Sequence, residues 1–328
     1  MRVISLASGS SGNALYVEAG ETRVLVDAGL APHLLRSRLR QIGVAPETLA
    51  GILLTHEHHD HACGAVAFAC QYGVPLIADP LTLDEVLKAP PALRVAGTPG
   101  RDPLPVGRKK RLGALEVSSF AVSHDAAAPC GYLFAAGGWQ VCVAIDTGEV
   151  GKPLARALRE ARMLVIEANH DEQMLRVGPY PAHLKRRILS TTGHLSNRQT
   201  AAALAAALEG PDGGPRWVWL AHLSRTNNRP HLAQQTIADH LAGAGHQGIR
   251  LEVMPPDLGP SWQNPTEVPE RLRQASLWAD AAALPASADA LPLAAPHAPA
   301  PGERADAPAA LSADVAIPGP VARRRALR

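Results

Sequence analysis

The chain has 328 residues, 46% hydrophobic, 4% aromatic and 19% charged, with 32 Lys and Arg against 30 Asp and Glu for a formal net charge of +2. That length accommodates one large domain or two small ones, and the composition excludes a collagen-like repeat and a wholly disordered polar chain. A charge so near balance does not by itself announce nucleic acid as a partner.

The opening segment, MRVISLASGSSGNALYVEAG, carries one Arg and only a short apolar run, so no secretory segment is expected. No stretch approaches the ~20 apolar residues a membrane helix needs, and a cytoplasmic protein without a membrane partner is expected. Alternating apolar positions at 2–6, 14–19 and 23–27, punctuated by Gly and Ser, predict short antiparallel strands. Pro32 opens a helical pattern that runs to Ile42, and 51–55 (GILLT) reads as a short buried strand ending in a cluster of His and Asp. Further strands are predicted at 115–123, 132–135, 140–145, 163–167, 217–221 and 250–254, with helices at 62–72, 152–160, 182–189, 197–208 and 230–242. Meanders followed by strand and helix alternation predict an α/β fold of two mixed sheets with helices on their outer faces.

The four cysteines, Cys63, Cys70, Cys130 and Cys142, show no C-x-x-C spacing and lie in apolar segments, as buried thiols do. From about residue 255 the chain becomes rich in Pro and Ala. The expected organisation is therefore a folded domain over 1–254 and a largely disordered tail over 255–328.

Residues 55–61 read Thr-His-Glu-His-His-Asp-His and contain H-x-H-x-D-H as His56, His58, Asp60 and His61. Imidazole nitrogen and carboxylate oxygen ligate zinc and harder divalent ions such as manganese. An i, i+2 pair leaving a strand can aim two rings at one ion while the next turn aims Asp60 and His61 at a second.

With this motif after a strand, the sequence resembles the metallo-β-lactamase fold superfamily. The resemblance runs over about residues 1 to 254 through His124 in Ser-His-Asp, Asp146 in Ile-Asp-Thr-Gly and His222 in Ala-His-Leu-Ser. It implies a four-layer αββα sandwich. It also implies two divalent metal ions, zinc or manganese: His56, His58 and His124 on one, Asp60, His61 and His222 on the other, Asp146 between them. A water bridging two such cations ionises near neutral pH, so hydrolysis is the implied chemistry, with Asp60 both ligand and catalytic residue. Asp146 stands where some true β-lactamases place a Cys ligand, which argues against an antibiotic hydrolase.

Local likeness in 7–13 (ASGSSGN), 165–170 (VIEANH), 185–195 (KRRILSTTGHL) and 221–228 (AHLSRTNN) resembles the YycJ or WalJ-like branch of exonuclease-like metallohydrolases. The Glu-Ala and Gly-His-Leu-Ser elements also resemble ribonuclease Z, which implies that His194 is a proton donor outside the metal shell. Alternatively His194 caps the helix that starts near Ser196. Ser8, Ser10, Ser11 and Asn13, in a Gly-containing loop, can turn N–H groups toward an anion. Lys185, Arg186 and Arg187 can contact phosphate. Glu167 ends a strand with its role undecided, and His170 is assigned no metal. The leading expectation is a dimetal phosphodiesterase acting on nucleic acid. The competing one is a hydrolase of the same fold for a thioester, lactone or cyclic phosphodiester, and oligomeric state is not legible.

Overall fold

The computed structural model describes residues 1–88, 97–209 and 216–265. The N-terminal meander forms as expected: β1 (Arg2–Ala7), β2 (Ala14–Ala19) and β3 (Thr22–Val26) pair antiparallel in that order. The sheet then continues in parallel through β4 (Gly51–Leu53), β5 (Leu76–Ala78) and β6 (Arg101–Pro103). The second sheet starts antiparallel, with β7 (Lys109–Leu112), β8 (Leu115–Ala121), β9 (Cys130–Ala136) and β10 (Trp139–Ala144). It becomes parallel through β11 (Met163–Glu167), β12 (Trp217–Ala221) and β13 (Arg250–Val253). Among the described residues each sheet has seven strands, the first completed by β14 (Ser261–Gln263) beside β1.

Side-chain alternation divides the apolar residues among three cores. Val3, Val17 and Val26 from one sheet meet Val143, Val165 and Trp219 from the other between the layers. The opposite face of the first sheet, with Ile4, Tyr16, Leu25 and Ile52, packs on Leu35 and Leu39 of α1 (Pro32–Gln41). Phe68 of α3 (Ala65–Tyr72), which follows the one-turn α2 (His59–Ala62), joins them. On the second sheet Leu164, Ile166 and Val218 pack on α5 (Lys152–Glu160), α8 (Asn197–Leu208) and α9 (Pro230–Gly243). The layers are therefore α, β, β and α. β11 is buried on both faces, which explains its unbroken apolar run MLVI. Among the described residues the remaining α-helices are α4 (Pro80–Lys88), α6 (Glu172–Val177) and α7 (Ala182–Ile188).

Two expectations are corrected here. No strand is expected beyond residue 254, yet β14 pairs with β1 and sets Trp262 opposite Val3. Trp262 is 4% exposed, and its ring lies 5.8 Å from those of both Trp139 and Trp217 in the other sheet. A three-residue strand between prolines carries too short a pattern to be read, but the aromatic cluster it completes joins the two sheets, so the folded part runs past residue 254. The rest of the expected tail lies outside the described residues. The cysteines also differ, since Cys130 and Cys142 are buried whereas Cys63 and Cys70 are only half-buried.

Candidate metal centre

The site residues gather where strands end. Asp27 follows β3, His56 lies beyond β4, His124 beyond β8, Asp146 beyond β10, Glu167 closes β11 and His222 follows β12. Among the described residues, the non-glycine residues with positive φ are Asp27 (61°), Asp146 (58°) and His222 (55°). A left-handed backbone costs a residue with a Cβ about 1–2 kcal/mol, so three such residues at one site mark strain held by their surroundings. At Asp27 that hold is visible. Its carboxylate accepts the Thr55 backbone N–H (2.8 Å), the Thr55 hydroxyl and His61 Nδ1 (2.7 Å). Gly29, just beyond, has to be Gly because a Cβ there would overlap the Asp60 carbonyl.

Seven predicted ligands converge. His56, His58, His124 and Asp146 form one group and Asp60, His61, Asp146 and His222 another, with one donor atom per residue lying within 4.8 Å of the others in its group. Asp146 belongs to both. Its Oδ2 lies 3.6 Å from His56 Nε2, 3.5 Å from His124 Nε2 and 3.3 Å from His61 Nε2, so a single oxygen faces both groups.

The donor set fits divalent metal. Several rings are held by the outer nitrogen while the inner one faces the cluster. His56 Nδ1 meets the Thr55 hydroxyl (3.0 Å), His61 Nδ1 meets Asp27, and His124 Nδ1 donates to the Gly193 carbonyl (3.1 Å). The inner His56 Nε2 is buried without a hydrogen-bond partner. A buried lone pair with nothing to bind is costly unless an ion takes it, and outer-nitrogen partners of this kind orient metal-ligating histidines. Burial, with the charges of neighbouring histidines, pushes His56 well below the ordinary imidazole value, so it is neutral, as a ligand must be.

Glu167 is the residue whose role the sequence leaves open. Fully buried, it accepts from His194 Nδ1 (2.7 Å) and His222 Nδ1 (3.0 Å) through Oε1. Its Oε2 accepts the Thr147 N–H (2.9 Å) and the Leu195 N–H (3.3 Å). Burial opposes its charge, but His194 and these hydrogen bonds hold it at about 2. In return Glu167 overcomes the effect of burial on His194 and raises it above its ordinary value. His194 lies outside both ligand groups but forms a third with Asp146, Glu167 and His222, one donor atom of each within 4.8 Å of the others, and its ring is 5.2 Å from that of His124 and 5.3 Å from that of His222. It does not cap α8. That task belongs to Ser196, whose hydroxyl accepts the Gln199 N–H while Gln199 Oε1 accepts the Ser196 N–H.

The expected substrate residues separate. Ser8 and Asn13 are buried: the Ser8 hydroxyl accepts the His222 N–H (2.8 Å), and Asn13 contacts His61 Nε2 (3.0 Å) and the Asp60 carbonyl. Their polar groups hold the predicted ligands His222 and His61, and Gly9 N, Gly12 N and Asn13 N bond inside the protein. Ser10 and Ser11 are exposed. Lys185 is turned to the Arg176 carbonyl (2.7 Å), Arg186 is exposed, and Arg187 pairs with Asp125.

The profile of the beta-lactamase superfamily domain matches residues 22–222. Exodeoxyribonuclease WalJ of Streptococcus pneumoniae strain D39 is 38% identical over 264 residues, covering 80% of this chain and 96% of the relative. The chain belongs to the beta-lactamase superfamily. Exodeoxyribonuclease YycJ of Bacillus anthracis is 37% identical over 243 residues, 73% of this chain and 89% of that one. Among solved structures of the metallo-β-lactamase fold, YhfI from Bacillus subtilis aligns with a TM-score of 0.58 at 18% identity, covering 80% of this chain and 98% of that chain. Both the superfamily resemblance and the YycJ or WalJ-like one are borne out. Among the described residues no helix is long and apolar enough to cross a membrane.

Proposed function

We propose that this superfamily member is a metal-dependent phosphodiesterase of the exonuclease type that acts on DNA in the cytoplasm. In this reading two divalent ions, zinc or manganese, occupy the site. His56, His58 and His124 would hold one and Asp60, His61 and His222 the other, with Asp146 available to both. Ions so held supply Lewis acidity to the phosphoryl group and the means to ionise an attacking water.

The observation that carries the phosphodiester reading is the Glu167 and His194 pair beside the ligand groups, Nδ1 to Oε1 at 2.7 Å. A DNA leaving oxygen is strongly basic and gains charge as its bond to phosphorus breaks, so a positioned acid is worth about 10²- to 10⁴-fold. Glu167 accepts a hydrogen bond from His194 Nδ1–H and stabilises the imidazolium, leaving Nε2–H for the leaving oxygen. The same carboxylate oxygen accepts from His222 Nδ1, which leaves His222 Nε2 on the side of Asp60 Oδ2 (3.2 Å). One buried carboxylate thus orients both a metal-side ring and the proton donor. The names of the relatives support DNA over RNA.

Metal-loaded protein incubated with end-labelled single- and double-stranded DNA and RNA, beside small ester and cyclic-nucleotide substrates, tests this. Progressive shortening of DNA is expected. Turnover of the small substrates with every nucleic acid left intact would refute it.

A further inference from the structure

We infer that Arg187 grips a phosphate oxygen of the substrate and that Asp125 is the positioning residue that aims it. This rests on the phosphodiesterase reading above. Asp125 directly follows His124, and its Oδ1 lies 3.5 Å from His124 Nε2. Its two oxygens accept from Arg187 Nε (2.5 Å) and Nη2 (2.9 Å), a two-point grip that fixes the plane of the guanidinium and leaves Nη1 unused by Asp125. The arginine end of this pair is rooted beside the proton donor. His194 N donates to the Ile188 carbonyl, Gly193 is packed so closely on the Arg187 and Ile188 carbonyls that a Cβ would overlap them, and Gly193 O receives His124 Nδ1. The backbone that carries Arg187 is thereby tied to His194 and, through Gly193, to His124, while its guanidinium is fixed by Asp125, the neighbour of His124.

A purely structural staple explains this less well. Arg187 and Asp125 are 46% and 34% exposed, and an ion pair so open to water adds little to stability. The backbone bond His194 N to Ile188 O and the His124 ring bond to Gly193 already tie the same segments together. Of the three consecutive basic residues, Lys185 is spent on a carbonyl, whereas Arg187, its Nε and Nη2 held by Asp125, keeps Nη1 free of that grip for a phosphate oxygen.

The test compares Arg187→Ala, Arg187→Lys, Asp125→Asn and the double variant Asp125→Asn/Arg187→Ala in the metal-loaded protein. KM and kcat are measured for a single-stranded DNA oligonucleotide across a salt series. Arg187→Ala should raise KM roughly tenfold and reduce the slope of log KM against log salt by about one phosphate contact. Arg187→Lys should restore the slope but only part of the KM. Asp125→Asn should raise KM less than Arg187→Ala does, and the double variant should match Arg187→Ala, because Asp125 acts through Arg187. Melting temperature and metal content should stay unchanged throughout. A fall in bound metal on Asp125→Asn would make Asp125 a ligand, and lowered melting temperatures with an unchanged salt slope would make the pair a staple; either overturns the inference. Bis(4-nitrophenyl) phosphate is run in parallel. If only this diester is cleaved, the DNA reading fails, while its KM in Arg187→Ala still decides the role of Arg187.

Discussion

Glu167→Gln is the most informative single change, because it keeps the shape of a residue with no exposed surface while removing its charge. The two backbone donors, Thr147 N and Leu195 N, both point at Oε2, and the amide oxygen of Gln can still receive them. Its NH2 group then falls where Oε1 stood, against Nδ1 of His194 and His222. A donor facing Nδ1 forces that nitrogen to become an acceptor, so His194 loses its charge-assisted hydrogen bond to a carboxylate and, with it, the counter-charge of its imidazolium. A hydrogen bond to a charged group contributes about 1.5–3 kcal/mol, so the loss predicts a fall in kcat on DNA of roughly 10- to 150-fold. The melting temperature should shift little compared with Glu167→Ala, which strands two buried N–H groups. A nitrophenyl phosphodiester has a leaving group that needs little protonation, and its kcat should fall only a few-fold. His194→Ala should show the same contrast with metal content retained. Steady-state kinetics on both substrates and metal analysis of the same samples provide the test. Equal losses on both substrates, in parallel with lost metal, would show that Glu167 acts only on the ligand His222 and that His194 is no acid.

Three further outcomes are expected. Elemental analysis of metal-replete protein should give two ions per chain; Asp146→Ala should bring this to one or below, and Asp60→Ala or His58→Ala should abolish turnover. Truncation after residue 254 removes Trp262 and should cost about 3–5 kcal/mol by chemical denaturation, whereas truncation after residue 265 should cost little, because the Pro- and Ala-rich remainder lacks the composition of a core. Equal stability of the two would deny β14 any structural weight. His170 is fully buried with neither ring nitrogen partnered, and burial lowers it to about 4. The unfolded chain takes up this proton near pH 6.5 and the folded protein does not, so its contribution to stability is complete above 6.5 and is lost as pH falls toward 4. Between pH 7.5 and pH 5, His170→Leu should therefore gain about 2 kcal/mol relative to the parent protein, read from paired denaturation curves. A gap independent of pH would contradict that.

Most elements, and the metal cluster's local half, are legible from sequence because their signals are short in range. β2, β11, β12, α5 and α8 begin and end where periodicity and capping residues place them, and His56, His58, Asp60 and His61 are neighbours in the chain. Long-range partners carry no such signal. Nothing near Glu167 in sequence shows that it joins His194 and His222, 27 and 55 positions away, and nothing near Asp27 shows that it orients His61 from a left-handed backbone. Ser8 and Asn13 read as part of an anion loop by composition, yet the fold presses these two residues against His222 and His61 and bonds their side chains there. Residues 261–263 read as tail until the two sheets bring Trp139 and Trp217 to meet Trp262. Periodicity and motif spacing record what a residue does with its near neighbours along the chain, whereas hydrogen-bond partners and burial depend on which segments the packed sheets bring together.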